Sequence, residues 1–325
     1  MLCTIKGANY NRGMKKNTWS FVTKHDVVDI IAPASLSPLE RLEDGVRWVE
    51  KIGLSPHVPS DIIKADVFFA SPLETQLRHL KDALYSDAKI IWCLRGGYGS
   101  MRLIPHLLKL KPPKRPKLLI GFSDITSLHL FFNQQWNWPT LHARTISQMH
   151  PDLASTPDRK LLQDIIFGKK TEKTFKRLIP LNQSAREERL IKSTITGGNL
   201  RIIQSSLGTS WQVNPKGKIL FIEDVAERGY SVDRMLEQMF QAKLIDKGLK
   251  AIVFGDFTEG LEKNGKDLTP VALKRFAERV PYPVFTGLKA GHDAVTNFPV
   301  PFNTPCELLT GKSGQLHCSY GGSSF

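Results

Sequence analysis

The sequence predicts an α/β protein, with a doubly wound, mostly parallel sheet in an N-terminal domain and a smaller mixed α/β C-terminal domain. Short apolar segments alternate with amphipathic helical segments up to about residue 148, and a second group of apolar segments follows a long polar stretch. The 325 residues are also enough to bury two cores. We expect a poorly ordered extension over 1–25, a first domain over 26–150, a linker over 151–190 and a second domain over 191–325.

The N-terminal elements begin and end at recognisable signals. Apolar strands are predicted at 27–31, 90–94 and 118–120, each followed within two residues by glycine or proline. Ser37 and Ser71 each open a Ser-Pro-Leu-Glu motif, which combines a capping serine, a proline at the first helical position and a glutamate that completes a capping box. These motifs predict the starts of two helices.

The second half alternates in a similar way. Apolar strands are predicted at 219–223 and 251–255. One helix is predicted between them and another from Thr269 onward, with apolar faces that contain Met235, Leu236, Met239, Phe240, Leu273, Phe276, Ala277 and Val280. This pattern indicates the smaller, mixed domain.

The composition argues against several functional classes. The net charge is +14, but the basic residues are scattered, and their only cluster, 111–117, lacks the interleaved aromatics of a nucleic-acid interface. An anionic small substrate suits such a surface equally well. No apolar segment is as long as a membrane span or resembles a signal peptide, and the four cysteines lack disulfide or metal spacing. We expect a cytoplasmic protein without membrane partner, nucleic-acid partner or metal.

Ser123 occupies the most informative position of the chain. It follows the predicted strand 118–120 and precedes an amphipathic helical segment. A strand-to-helix turn of this kind exposes a serine hydroxyl beside the first free N–H groups of a helix, which suits a nucleophile. The alternative is that Ser123 or Asp124 simply caps the helix.

A glycine-rich loop, 96–99, follows the neighbouring predicted strand. Because adjacent strand ends of a doubly wound sheet open onto one crevice, this loop and Ser123 could form a nucleophile and an oxyanion site. A serine nucleophile needs a base and an orienting acid. His292, on a glycine-bounded loop, is the strongest candidate base, although it could be an ordinary exposed histidine. Glu223 ends a predicted apolar strand and is followed by Asp224, and a carboxylate at this place could be either a turn residue or an active-site group.

The remaining histidines near the predicted elements are weaker candidates for the base. His106, His129 and His142 lie within or beside apolar patterns, where a core or capping role is expected. The order Ser123, Glu223, His292 is that of the α/β-hydrolases. Ile125 replaces the second glycine of their G-x-S-x-G motif, which weakens that interpretation.

Seven sequence blocks, in the right order between about residues 27 and 309, resemble the LD-carboxypeptidase family of serine peptidases. The blocks are 32–35, 94–99, 121–126, 197–200, 221–224, 230–236 and 291–292. The resemblance implies a two-domain homodimer that hydrolyses the L–D peptide bond of murein tetrapeptides and releases terminal D-alanine during peptidoglycan recycling. No metal or organic cofactor is implied.

The same resemblance assigns roles to individual residues. Ser123 would be the nucleophile, His292 the general base and Glu223 its orienting acid, while the backbone N–H groups of Gly97 and Asp124 would hold the oxyanion. Tyr98 and Asn199, within the matching blocks, are candidate substrate contacts.

Two positions depart from the family pattern. Arg144 follows Leu-His-Ala where the family has an uncharged residue, so it could contact a substrate carboxylate or lie on the surface. Gln76 replaces a family arginine, which puts one helix contact in doubt. A relative within the family cleaves aminoacyl-nucleotide amides in self-immunity to a peptide antibiotic, and that activity is an alternative. A non-catalytic or polyanion-binding protein is the alternative from another class.

Overall fold

Two β-sheets organise the chain in the computed structural model of the protein, which describes residues 18–64, 66–245, 248–293 and 295–321. One is an open sheet of six strands and the other is a closed barrel of seven. Helices cover both sheets. The predicted α/β class and its mostly parallel first sheet are therefore confirmed.

The open sheet is formed by the N-terminal part of the chain and one later strand. Its strands are β1 (Val27–Ile31), β2 (Ser55–His57), β3 (Ile90–Cys93), β4 (Leu118–Gly121), β5 (Thr140–His142) and β11 (Val300–Phe302). Their order is β11-β5-β4-β3-β1-β2, and every pairing is parallel except that of β11 with β5. All residues of β3 and β4 are buried, as apolar runs in a parallel sheet covered on both faces should be.

Helices on both faces of the open sheet bury its apolar side chains. They are α1 (Leu39–Lys51), α2 (Leu73–Tyr85), α3 (Ile104–Leu107), α4 (Thr126–Gln135) and α5 (Thr156–Ile166). α4 contacts β5 of this sheet and also β7 (Leu190–Asn199) of the barrel. Its first eight residues are buried, because it is packed between the two halves of the molecule.

The barrel is formed mainly by the C-terminal part of the chain. Besides β7 it contains β6 (Glu172–Pro180), β8 (Ile219–Val225), β9 (Ala251–Thr258), β10 (Val284–Thr286), β12 (Pro305–Leu309) and β13 (Gly314–Ser319). The strand order is β10-β6-β13-β12-β7-β8-β9, with β7 to β10 parallel and the other pairings antiparallel. The remaining helices are α6 (Gln183–Arg186), α7 (Leu200–Ser205), α8 (Gly229–Gln241) and α9 (Thr269–Glu278).

The segment 151–190 differs from the linker expected there. It contains α5, β6 and α6, and β6 pairs with both β10 and β13. The polar composition arises because most side chains of β6 face outward, while Phe175, Leu178 and Pro180 are buried. The boundary is also crossed by β11, which returns from the second half to the open sheet.

The last part of the expected N-terminal extension is packed against the first domain. Trp19 is 2% exposed and belongs to the apolar cluster that covers one face of the open sheet. The Val22 amide donates a hydrogen bond to the Ile166 carbonyl at 3.0 Å. Residues 1–17, on which the rest of that prediction falls, lie outside the described residues.

The predicted capping boxes of α1 and α2 do not form. Pro38 and Pro72 precede the first helical residues, their ψ angles of 141° and 154° are extended, and neither helix has a side-chain cap. Each helix therefore begins one residue later than predicted. The hydroxyl groups of Ser37 and Ser71 are buried without a hydrogen-bond partner in the described part of the chain.

Within the described ranges, no helix combines the length and the apolarity that crossing a membrane requires.

Trp19→Ala tests whether the segment around residue 19 belongs to the folded domain. Removal of a buried tryptophan should lower the free energy of unfolding by about 3–5 kcal/mol. Tyr230, which is 58% exposed, provides the control, and Tyr230→Ala should change it by no more than about 0.5 kcal/mol. Urea denaturation measures both variants. Equal, small effects would show that the Trp19 contacts contribute nothing to stability.

Candidate active site

Ser123 lies at a sharp turn between β4 and α4. A short 3-10 turn, Ser123–Ile125, joins the two elements. Ser123 has a φ of 63°, a left-handed conformation that a non-glycine residue adopts only when its surroundings impose it. No side-chain cap is present at either helical start, so the structure does not support the capping alternative. The turn has instead the form that exposes a serine hydroxyl.

The glycine-rich loop lies directly against this turn. A Cβ atom at Gly96 would lie 2.8 Å from the Ser123 Cβ, which is too close for any side chain. Gly97 has a φ of 97°, and a Cβ there would lie 2.6 Å from the Ser35 hydroxyl. That hydroxyl accepts a hydrogen bond from the Tyr98 amide at 3.0 Å. Gly96 and Gly97 must be glycines because the loop backbone approaches Ser123 and Ser35 so closely that no side chain fits between them.

Asp124 connects the loop to the turn. Its Oδ2 accepts a hydrogen bond from the Ser100 amide at 2.8 Å, and its carbonyl accepts one from the Ser100 hydroxyl at 2.7 Å. Burial raises the pKa of the Asp124 carboxyl, although hydrogen bonds from Ser100 and Gly99 oppose this. The Asp124 amide is the second of the 3-10 turn, where N–H groups have no partner within the helix. Loop and turn are thus held in one arrangement.

Glu223 and His292 form a buried pair. Glu223 is fully buried near the end of β8, and His292 Nδ1 lies 2.6 Å from its Oε2. A Cβ atom at Gly291 would lie 3.0 Å from the same oxygen, so glycine allows the loop to approach. Burial raises the pKa of Glu223, but the two neighbouring histidines, His292 and His142, outweigh it and lower the pKa to about 2. Burial lowers the pKa of His292, and the Glu223 carboxylate reverses this into a net increase.

His142 is the residue that the sequence interpretation missed. It is fully buried at the end of β5, and its Nε2 lies 3.5 Å from Glu223 Oε1. His142 pairs in register with Gly121, the last residue of β4. Its place at a strand end beside the Ser123 turn was a signal for a site residue. The expected core role of His129 is confirmed, since it is fully buried with Nε2 2.9 Å from the Gly121 carbonyl.

A cavity of 460 Å³ brings Ser123 and His292 together. Gly96 and Gly97 also line it, and Val225 and His292 come from the second half of the chain. The cavity thus lies where the two halves meet. Larger cavities of 510 and 630 Å³, lined by parts of 182–192, 248–250 and 274–283, contain no histidine among their described lining residues. Among all residues that the structure describes, no group of three or more His, Cys, Asp or Glu side chains could hold a metal ion.

Arg144 and Asn199 are buried and are not among the described lining residues of the 460 Å³ cavity. Arg144 is 3% exposed, with Nη2 3.1 Å from Asp158 Oδ2 and Nη1 donating to the Leu153 carbonyl at 2.8 Å. It is therefore neither a surface residue nor a free contact for a carboxylate. Asn199 caps α7 by accepting a hydrogen bond from the Ile202 amide at 3.2 Å. The polar groups of both side chains bind within the protein, which argues against Arg144 and Asn199 as substrate contacts.

Two further sequence positions have defined places. Tyr98 is 49% exposed beside Phe68 and Phe69, so it stays a predicted substrate contact. Gln76 is buried, and its side-chain amide donates to the carbonyls of Ala32 and Ala34, both at 3.2 Å. This residue therefore supports the backbone after β1, although it differs from the family arginine.

Asp224 is turned away from the Glu223–His292 pair. Its Oδ1 accepts hydrogen bonds from the Asn199 side chain and the Val225 amide, both at 2.8 Å, and Oδ2 accepts one from the Arg201 amide at 3.0 Å. Burial, followed by the nearby charge of Glu223, raises the pKa of Asp224 to about 7. Of these two neighbouring acids, Glu223 is the one bonded to His292.

Asp224→Asn tests this raised pKa through stability. The pKa is 3.8 in the absence of perturbation and about 7 in the folded protein. The folded state therefore keeps a proton that the unfolded chain releases. The resulting stability is fully present below the pKa of 3.8 and is lost as pH rises through the folded-state pKa of about 7. We expect the wild type to lose stability relative to the variant between about pH 4 and pH 7.

Urea denaturation at several pH values measures this difference. The exposed Asp233 on α8 provides the control, and Asp233→Asn should give a curve parallel to that of the wild type. A parallel curve for Asp224→Asn as well would show that Asp224 is ionised in the folded protein.

Comparisons with known proteins agree over most of the chain. Residues 28–143 match the LD-carboxypeptidase N-terminal domain, and residues 192–308 match the C-terminal domain. A Rickettsia conorii relative, whose name refers only to the class carboxypeptidase, is 38% identical over 297 residues, covering 90% of this chain and 91% of the relative. Murein tetrapeptide carboxypeptidase of Pseudomonas aeruginosa is 28% identical over 291 residues, covering 87% and 93%.

A solved structure shows the same architecture. The crystal structure of muramoyltetrapeptide carboxypeptidase from Oxalobacter formigenes has a TM-score of 0.79 at 27% identity, covering 91% of this chain and all of that one. The two domain matches together span more than half of the 325 residues. From the order of its domains, its sequence and its fold, the chain belongs to the LD-carboxypeptidase family.

Proposed function

We propose that the protein is a serine-type LD-carboxypeptidase that releases the terminal D-alanine from murein tetrapeptides. The observation that carries the proposal is the shared cavity, which is lined by Ser123 at its left-handed turn and by His292, itself bonded to the buried Glu223. Murein peptide substrates of related carboxypeptidases support the substrate class.

His292 acts as the general base. Its Nδ1 donates to the Glu223 carboxylate, which leaves Nε2 with a lone pair for the Ser123 proton. Glu223 stays ionised, because the neighbouring histidines hold its pKa at about 2. The carboxylate therefore stabilises the imidazolium that forms when the Ser123 oxygen attacks the carbonyl carbon between the L-centre of the diamino acid and D-alanine.

The backbone amides of Gly97 and Asp124 hold the oxyanion of the tetrahedral intermediate. The bonds between Asp124 and Ser100 fix both segments before substrate arrives, so the amides need no reorganisation during the reaction. When the intermediate collapses, His292 gives its proton to the departing D-alanine nitrogen. A water molecule then cleaves the acyl-enzyme by the same route, which returns the proton to Ser123.

Three further parts of the proposal rest on the family resemblance and on the composition of the chain. The enzyme works without metal or organic cofactor, in the cytoplasm during peptidoglycan recycling, and as a homodimer. Size-exclusion chromatography with light scattering tests the assembly, since a mass of 36.6 kDa per molecule would mean a monomer.

Ser123→Ala should abolish release of D-alanine. Removal of a triad nucleophile lowers turnover by about 10⁴-fold or more. The fold should be preserved, because alanine leaves the turn without a bulky side chain. Release of D-alanine is measured by mass spectrometry, and circular dichroism checks the fold. Turnover near that of the wild type would exclude Ser123 from the mechanism.

Glu223→Gln should reduce turnover far more than Asp224→Asn. A glutamine preserves the size of the side chain but cannot stabilise the charge of the imidazolium. Asp224 has no hydrogen bond to His292 and serves as the matched control on the same strand. Steady-state kinetics compare the two variants. A larger loss at Asp224 would reverse the assignment of the acid.

A panel of substrates tests the reaction class. Tri-, tetra- and pentapeptide muropeptides are incubated with the protein, together with an aminoacyl-nucleotide amide. We expect cleavage of the tetrapeptide with loss of one D-alanine. Cleavage of only the nucleotide amide would favour the immunity-type activity, and cleavage of none, with salt-dependent retention on a polyanion, would favour a binding protein.

A further inference from the structure

Ser37, Pro38 and Arg41, at the start of α1, line the active-site cavity. α1 has thirteen residues, and no side chain caps its first turn. The amides of Arg41 and Leu42 bond to the Pro38 carbonyl, which leaves the first two amides of the helix, at Leu39 and Glu40, without an intrahelical partner. Such a helix end carries a partial positive charge and attracts anions.

Ser37 is a second, independent feature of this place. It is 2% exposed and lines the same cavity as Ser123, yet its hydroxyl is buried without a hydrogen-bond partner in the described residues. A buried hydroxyl is ordinarily bonded, because desolvation without a partner is unfavourable. Ser71 occupies the same position in the second Ser-Pro-Leu-Glu motif but is not among the cavity residues. A ligand in the cavity would supply the partner that Ser37 lacks.

The charges around the cavity have one sign. Arg41 and Arg95 line it, and no carboxylate is among its described lining residues. Among the residues that the structure describes, Arg41 has no ion pair with a carboxylate. Arg47, six residues later on α1, pairs with Glu43 and Asp44. The cavity therefore suits a negatively charged group.

We propose that Ser37, Arg41 and the N-terminus of α1 form the subsite for the terminal carboxylate of the peptide substrate. The assignment rests on the proposed carboxypeptidase function. In the substrate, this carboxylate is one residue from the carbonyl carbon that Ser123 attacks, so both groups must fit in one cavity. A carboxylate can accept hydrogen bonds from the Ser37 hydroxyl, the free helix amides and the Arg41 guanidinium. This subsite restricts cleavage to chain ends.

Arg144, the residue that the sequence offered for this task, is already neutralised by Asp158. Arg95 contributes to the positive potential, but it also donates to the Leu36 carbonyl and so supports the loop before α1. Arg41 is therefore the guanidinium best placed to respond to the presence of a carboxylate.

Steady-state kinetics on a murein tetrapeptide and on its C-terminally amidated analogue test the subsite. Arg41→Ala should lower kcat/KM for the free acid by about 10- to 100-fold, mainly through KM, and should leave the weaker activity on the amide nearly unchanged. Ser37→Ala should lower kcat/KM for the free acid by about 3- to 10-fold. Arg47→Ala, on the outer side of the same helix, is the matched control and should equal the wild type for both peptides.

The outcomes separate this inference from the proposed function. If the wild type releases D-alanine and Arg41→Ala lowers kcat/KM for the acid and the amide equally, or for neither, the subsite is wrong and the function stands. If the wild type cleaves neither peptide, the proposed function is wrong and the subsite falls with it. Thermal denaturation checks the variants. Should Arg41→Ala fail to fold, Arg41→Lys and Ser37→Ala decide, and loss of selectivity for the acid in both supports the subsite.

Discussion

The hydrogen bond between Glu223 and His292 is the interaction on which the rest of the site depends. A carboxylate without solvent is stable only when it is paired, because desolvation of an ion costs several kcal/mol. Glu223 is fully buried and gains its partners from both halves of the molecule: His292 from a loop of the second half and His142 from β5 of the open sheet. Glu223 and its two histidines therefore link the ends of β5 and β8, and with them the two halves of the molecule.

A second constraint is the close approach of the glycine loop to Ser123. The strained φ of Ser123 is maintained because its neighbours leave no alternative: Gly96 lies against its side chain, and Asp124 is bonded to Ser100. α4 continues from this turn with its first eight residues buried between sheet and barrel. The turn is thus fixed at one end by the loop and at the other by a helix that cannot move without disturbing both cores.

Local patterns in the sequence predict the sheet and the position of the site, but they do not predict burial or pairing across the chain. The strand ends before Arg95 and Ser123 were recognisable because a parallel sheet requires apolar runs that stop at glycine. β6 was missed because its outward face is polar, and the caps at Ser37 and Ser71 were wrong because extended prolines delay both helices. The charge of Arg144 suggested a substrate contact, and only the fold shows that Asp158 neutralises it.

Two consecutive carboxyl groups on β8 show how this fold separates chemical roles. Successive side chains of a strand point to opposite sides, so Glu223 faces two histidines whereas Asp224 faces Asn199 and the amide of Arg201. The two neighbouring histidines hold the pKa of Glu223 at about 2, whereas burial and the nearby charge of Glu223 raise the pKa of Asp224 to about 7. The ionised acid can stabilise an imidazolium. Asp224, with its raised pKa, connects α7 to β8 through its bonds to Asn199 and the Arg201 amide. Below neutral pH it therefore does not add a full second negative charge, which would hold the His292 proton more tightly.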